Sequence, residues 1–312
     1  MASISNNINL RSRFWSNRVY YLMLVPAIIL IFIFCYIPMY GIIIAFQDYR
    51  IGNGILGSQW VGLKHFRILF GSATFYQIFR NTVLISLYKF IAINTIPLLL
   101  ALMMNEVYHR KFKRVIQTVS YLPYFLSWVV VGGIVIEVLS PERGLVNSLI
   151  QLFGGKSIYF ITQPEWFRAV LVASDAWKNA GWSSILYLAT LSSIDPQLYD
   201  AAKIDGANRL QQVKHITLPA LYSVVIILMI LSLGQIMNAG YEQVLNLYSP
   251  LVYNVGDIFD TYIYRIGITG NNQQVPDYSL STAVGLFKNV IGFFLVLSTN
   301  MISKKISDYG VW

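Results

Sequence analysis

Charge is scarce in this sequence. Asp, Glu, Lys and Arg together supply only 12% of its 312 residues, about half the share usual in a soluble globular domain. A soluble fold of this length could bury a sound core, but its water-facing surface would need far more charge. A bilayer as solvent removes that need. Cysteine is nearly absent: Cys35 stands alone, so an intramolecular disulfide is excluded, and a thiol inside an apolar run is expected to serve packing. The three histidines, His65, His109 and His215, are scattered. Asp257 and Asp260, on one helical face, are the nearest approach to clustered acids that could hold a metal or act as a base. A membrane-embedded transferase is therefore an alternative without a constellation to support it. Gly154-Gly155-Lys156-Ser157 imitates the tail of a phosphate-binding loop, but the first required glycine falls at Ile150, so no nucleotide site is expected in this chain. No internal repeat, heptad array or low-complexity tract is present.

Long apolar runs are what the sequence has instead. Hydrophobic residues make up 56% of it, the mean hydropathy is +0.56, and 15% of residues are aromatic, with the Tyr and Trp that favour membrane interfaces. Crossing a hydrocarbon core of ~30 Å takes about 20 helical residues. Six stretches reach that length: Tyr20–Phe46, Asn81–Asn105, Val115–Ser140, Ala169–Ile194, Ile216–Ala239 and Ser279–Ser303. The expected fold is thus an all-α membrane protein with about six transmembrane helices. The first run is too long for the core of a signal peptide and lacks a convincing cleavage site, which makes it a retained span. Pro26, Pro38, Pro97 and Pro123 fall within spans and are expected to kink them. The net charge of +9 does not point to nucleic acid, because the basic residues sit at the ends of apolar runs and form no stripe. With both termini in the cytoplasm, the inner segments hold 12 Lys and Arg and the outer segments 6, as the positive-inside rule requires. The densest marker is His109-Arg110-Lys111-Phe112-Lys113-Arg114.

The segment between the fourth and fifth spans carries the function. It runs from Asp195-Pro196 through Asp200-Ala201-Ala202 and Gly206 to Ile216-Thr217-Leu218-Pro219. Asp195 suits an N-cap and Pro196 the first helical position, while Gly206 can take the left-handed turn that ends a helix. A helix over 196–205, a turn and a second short helix are predicted, with Pro219 opening the fifth span. This segment resembles the EAA loop of binding-protein-dependent ABC importer permeases, whose pattern is Glu-Ala-Ala, three residues, Gly, nine residues, Ile, one residue, Leu-Pro. Asp200, Ala201, Ala202, Gly206, Ile216, Leu218 and Pro219 stand at all those spacings, and Asp200 for Glu is the one departure. Ile37-Pro38-Met39-Tyr40-Gly41, Trp60-Val61-Gly62-Leu63, Arg80-Asn81-Thr82, Ser120-Tyr121-Leu122-Pro123 and Thr282-Ala283-Val284-Gly285-Leu286-Phe287 look like the carbohydrate-uptake branch, in particular polysaccharide and oligosaccharide permeases of the LplB type, which include importers of alginate and complex glycans.

The resemblance implies a type I importer fold and a complex. A second homologous permease would form the other half of the path, two cytoplasmic ABC ATPase subunits would dock on the paired EAA loops, and an external solute-binding protein would deliver an oligosaccharide. ATP and Mg would be held by the ATPase, with no cofactor in this chain, and the location would be the bacterial cytoplasmic membrane. The expected division is a cytoplasmic tail at 1–19, the first helix and external loop at 20–75, a permease core at 76–303 and a second cytoplasmic tail at 304–312. A non-sugar solute is the alternative within the transporter class, and a channel or receptor would need no EAA spacing at all.

Ionisable groups inside a membrane are functional candidates because lipid penalises them. Lys89, Glu137, Asp175, Lys178 and Lys288 qualify. Asp175 and Lys178, at i and i+3, are expected to pair, while the other three are expected to face the bundle or the second permease. In the maltose permease, to which the chain is similar, the helices flanking the EAA loop line the substrate site. Carried over by distance from the loop, Trp177, Asn179 and Trp182 fall there, with Ser232, Gln235 and Asn238 on the fifth span. Aromatic faces and amide or hydroxyl groups are what sugars bind, although Trp177 and Trp182 equally suit interface anchors or core.

Overall fold

The structure is a computed structural model that describes Trp15, residues 17–270 and residues 275–306. The expected tails at 1–19 and 304–312 lie largely outside the described residues. An apolar helix α1 runs over Arg18–Phe46, through a π-helical turn at Phe32–Tyr36 and a 3-10 stretch at Ile37–Phe46 that Pro38 opens. A two-residue hairpin, β1 (Gln47–Asp48) with β2 (Gln59–Trp60), leads to α2 (Lys64–Gly71). Then come α3 (Ala73–Asn105), α4 (Arg110–Phe125), α5 (Trp128–Val138), α6 (Leu145–Leu152) and α7 (Pro164–Ser192). The loop helix α8 (Pro196–Ile204) precedes α9 (Arg209–Gly234). Short helices α10 (Tyr241–Leu247), α11 (Tyr253–Gly256) and α12 (Phe259–Tyr264) precede the last helix, α13 (Tyr278–Ile306).

Among the described residues, four helices are long and apolar enough to cross a membrane, and a fifth crossing exists if α4 and α5 form one broken span. The span expected over Val115–Ser140 was expected to kink at Pro123, and the break there is sharper than a kink: α4 and α5 meet at 110°. The cause is local. Pro123 tightens Leu122–Phe125 into a 3-10 turn, Leu126 turns extended, and the Ser127 hydroxyl caps α5 by accepting from the Val130 N–H. The expected fourth span, Ala169–Ile194, falls within α7, which has the length but is not among those apolar helices, since Asp175, Lys178 and Asn179 lie in it. The protein tolerates them because α7 is the central helix. It packs along α3 and also meets α4, α5, α9, α10 and α11. The fifth span begins earlier than expected, at Arg209, and Pro97 sits inside an unbroken α3.

Packing divides into three apolar clusters. One joins Ile85, Val131, Phe167, Leu171, Val244 and Val252, another Leu69, Phe75, Ile78, Phe259 and Val284, and the third Ala101, Met104, Tyr187, Leu191 and Leu221 at the loop end of the bundle. None of the most apolar window of α1 is buried against the rest of the chain. Cys35 on that helix is exposed, so the expected packing role for the thiol does not hold within this chain. An apolar helix bare all round is one that lipid or another subunit covers.

Candidate functional site

The loop between α7 and α9 is built from its caps upward. The Asp195 carboxylate accepts the Gln197 N–H at 2.9 Å, with Pro196 in the first turn of α8. At the other end Gly206 has φ +80°, the Ala207 N–H donates to the Ala202 carbonyl at 2.8 Å, and the Gly206 N–H donates to Lys203 at 3.1 Å. These paired bonds close a helix terminus with a left-handed residue after it. A Cβ on Gly206 would have no atom within 4 Å, so its requirement is backbone conformation and not space. Asn208 and Gln211 then form a reciprocal capping box at 2.9 and 2.7 Å, which starts α9. A π-helical turn over Val213–Thr217 precedes Pro219. Pro219 has no N–H for the usual i−4 carbonyl, and the wider turn absorbs that defect.

Two contacts that sequence reasoning did not supply fasten the loop to the bundle. The Tyr199 hydroxyl lies 3.0 Å from Thr217 Oγ1, and Arg209 Nη1 lies 2.6 Å from Glu106 at the end of α3. Asp200 forms an exposed pair with Lys203 at 2.9 Å. Ala201 is exposed, as are Leu198 (54%), Ile204 (87%) and Leu210 (80%). Ala202, Gly206 and Ile216 line a concavity of about 320 Å3 beside them. The loop thus combines a rigid frame with bare apolar side chains, the surface a second protein would cover.

The polar groups inside the bundle are paired, but not as expected. Lys178 does not bond Asp175. Its ammonium donates to the carbonyls of Pro123 (3.3 Å), Tyr124 (2.8 Å) and Leu126 (2.5 Å) and lies 5.6 Å from the ring centres of Tyr124 and Trp128. The bend between α4 and α5 leaves the Tyr124 and Leu126 carbonyls free, and Lys178 collects them together with the Pro123 carbonyl, which also accepts the Leu126 N–H at 3.2 Å. Asp175 instead faces Lys89 at 3.9 Å and accepts from Asn179 at 3.2 Å. Lys89 also donates to the Ala239 carbonyl (2.7 Å) and to Gln243, whose amide donates to Leu171 and Ser174 at 2.7 Å each. This node pins the break after α9 against α3 and α7. Gly240 sits in it with φ +88°, where a Cβ would collide with Lys89. Lys89 and Asp175 were legible beforehand as ionisable groups but their pairing was not, because the groups that meet here lie some 70 to 150 positions apart.

Asp257 and Asp260 part company. Asp257 is buried and binds Thr261 (2.8 Å) and Arg265 (2.5 Å), whereas Asp260 pairs with Lys288 at 2.6 Å. Burial pushes the Asp257 carboxyl above the usual carboxylate range, and the Arg265 hydrogen bond opposes that shift. Glu137 makes an exposed pair with Arg143 at 3.1 Å. Among the described residues no group of three His, Cys, Asp or Glu could hold a metal ion.

The six residues expected along a substrate path fall in four places. Trp182 and Ser232 line one cavity of about 460 Å3 between α3, α7 and α9, together with Asn94. There the Trp182 ring stacks on Tyr124 at 4.6 Å and 5°, and Asn94 donates to the Ser232 hydroxyl at 3.0 Å. One turn further on, the Asn238 amide donates to Gln235 at 2.8 Å and its carbonyl accepts from Lys288 at 3.0 Å. Trp177 is elsewhere, in an apolar groove with Val135, Phe160 and Trp166, because five residues on a helix put it about 140° from Trp182. Asn179 stays beside Asp175.

Comparison with known proteins bears on this geometry. Residues 93–308 match the family model described as binding-protein-dependent transport system inner membrane component. The polygalacturonan/rhamnogalacturonan transport system permease protein YteP of Bacillus subtilis (strain 168) is 45% identical, over 94% of this chain and 89% of that one. Protein LplB of the same organism is 41% identical, over 94% and 90%. Among solved structures, a chain in the crystal structure of a bacterial ABC transporter involved in import of the acidic polysaccharide alginate superposes with a TM-score of 0.86 at 39% identity, covering 96% of this chain and 99% of that one. The same match is found in that transporter's complex with an alginate pentasaccharide-bound periplasmic protein.

Proposed function

The chain belongs to the binding-protein-dependent transport system inner membrane components, and from that premise we propose that it is the permease subunit of an ABC importer for oligosaccharides or polysaccharides. It is a multi-pass membrane transport subunit and not an enzyme. The observation that carries the reading is the capped, anchored loop from Asp195 to Pro219. A flexible loop would absorb the motion of an ATPase, whereas a helix closed at both ends and tied to α3 and α9 transmits it.

In this reading Asp200, Ala201, Ala202 and Gly206 form the helix that seats in an ATPase cleft, while Ile216, Leu218 and Pro219 carry its displacement into α9. The loop and both termini face the cytoplasm, two ATPase subunits hydrolyse ATP with Mg, a second permease completes the path, and an external binding protein delivers the cargo. Trp182, Ser232, Gln235 and Asn238 line that path, and Asn94 and Lys288 join them; Asn179 and Trp177 stand beside it. Two relatives support an acidic glycan as cargo, since one is named for polygalacturonan and rhamnogalacturonan and the other imports alginate.

Purification of the complex from its native membrane, followed by mass spectrometry of its subunits and of the glycan on its binding protein, tests this. An ABC ATPase, a second permease and a uronate-containing oligosaccharide are expected. Recovery of an amino acid or peptide on the binding protein would overturn the cargo, and absence of an ATPase would overturn the whole reading.

A further inference from the structure

At the end of the bundle opposite the Asp195–Pro219 loop, the chain around Tyr248–Tyr253 and the chain around Tyr264–Thr269 enclose a cavity of about 530 Å3. The end is identified by its neighbours. Asn81 at the start of α3 donates to the carbonyls of Tyr253, Asn254 and Asp257, and Arg168 at the start of α7 donates to Val255. The volume lies within the ~300–1,000 Å3 usual for sites that take small molecules.

Its walls are not those of a lipid-facing groove. Tyr248, Tyr253 and Tyr264 are all half-buried, so each presents part of its ring. Tyr248 and Tyr253 lie 5.0 Å apart, centre to centre, inclined at 36°. Between the tyrosines sits Arg265, whose guanidinium carbon is 4.3 Å from the Tyr253 ring centre and 5.5 Å from that of Tyr262. One guanidinium nitrogen, Nη2, donates to Asp257, itself held by Thr261. The other, Nη1, is buried and has no partner at full hydrogen-bond geometry, the Tyr253 side chain being the nearest polar neighbour of the guanidinium besides Asp257. A buried charged donor left unmet is costly, and a role limited to pairing with Asp257 does not require it.

Sugar rings carry an apolar C–H face and a rim of hydroxyls, and uronates add a carboxylate. Flat aromatic faces suit the first and a fixed guanidinium suits the second. Because Tyr253 and Asp257 already hold the guanidinium plane, little side-chain freedom is lost on binding. We propose that this cavity is a saccharide subsite on the outer side of the permease, where the tyrosine rings stack on sugar faces and Arg265 Nη1 donates to a sugar hydroxyl or uronate carboxylate. Because Nη1 is buried, the side chains that cover it must give way to admit the acceptor. The subsite rests on the glycan reading above and adds a contact well before the Trp182–Asn238 stripe, at the point where cargo leaves the binding protein.

The test uses the complete importer in nanodiscs, with trigalacturonate and maltotriose as probes. In a Cys35→Ser background, Thr269→Cys places a thiol on the exposed cavity wall, and its maleimide labelling is followed without the binding protein. Trigalacturonate is expected to slow labelling at least about fivefold, a factor in keeping with the worth of a stacked ring. Tyr248→Ala and Tyr264→Ala should remove that protection and raise the KM of glycan-stimulated ATP hydrolysis about tenfold with kcat kept. Tyr264→Phe, which retains the ring, should behave as wild type, and Arg265→Lys should lose the preference for trigalacturonate over maltotriose. Labelling unaffected by either sugar, or an unchanged KM in both alanine variants of an assembled complex, overturns the subsite alone. Protection that appears only when the binding protein is added overturns it in favour of a protein-docking surface. A wild-type complex that responds to no glycan would overturn the cargo reading together with it.

Discussion

Replacing Lys178 by Met is the most informative single perturbation of the fold. Methionine keeps the length and apolar stem of the side chain but removes the ammonium. Three carbonyls, those of Pro123, Tyr124 and Leu126, then lose their donor at the 110° bend between α4 and α5. The Pro123 carbonyl still accepts the Leu126 N–H at 3.2 Å, so two acceptors go unmet; at about 1–3 kcal/mol each, the low end gives ~2 kcal/mol. The two ring contacts with Tyr124 and Trp128 add about 0.5–1 kcal/mol each. A loss of roughly 3–4 kcal/mol follows, and at the few degrees per kcal/mol typical of larger domains the melting temperature should fall by about 6 °C or more. The assay is thermal unfolding of the purified complex in detergent, read by tryptophan fluorescence, since Trp128 and Trp182 flank the bend. Lys178→Arg, which keeps a charged donor, should lose less than half as much. A Lys178→Met complex that melts within about 2 °C of wild type would refute the argument that this lysine holds the bend.

Four further outcomes follow from the same geometry. Gly206→Val forces a β-branched residue into the left-handed region at a cost of about 1–2 kcal/mol; glycan-stimulated ATP hydrolysis should drop severely in proteoliposomes while subunit assembly, checked by size-exclusion chromatography, persists. Ala201→Trp should do the same by blocking the exposed face of α8, and wild-type coupling in both variants would remove the loop from its assigned role. Gly240→Ala must displace Lys89 from its carbonyl and amide partners, so a loss of stability of about 1–3 kcal/mol is expected in denaturant titrations, with Gly41→Ala, where a Cβ meets nothing within 4 Å, as the neutral control. Trp182→Ala should raise the KM of uptake more than Trp177→Ala, since the two rings belong to different cavities; equal effects would count against the Trp182–Ser232 face as the path.

Much of this protein was legible in one dimension. Scarce charge, long apolar runs and the basic bias between them dictate a membrane-embedded helical fold, because twenty apolar residues in a row have few other stable homes. The first helix of the Asp195–Pro219 loop was also readable, since its N-cap and the left-handed glycine that ends it are interactions within about five residues of each other; the Asn208–Gln211 capping box was not read. Tertiary structure decided what depends on distant partners. Asp175 and Lys178 look like a pair at i and i+3, yet each finds something better. The broken α4–α5 span exposes carbonyls that draw Lys178 one way, and the chain break after α9 brings Gln243 and Ala239 to Lys89, which draws Asp175 the other. Likewise Asp257 and Asp260 share a helical face in sequence but are claimed separately by Arg265 and Lys288. Local rules set which groups a helix presents; which of them meet is set by where the chain bends and returns, and in lipid that choice is sharp because an unmet polar group has no water to fall back on.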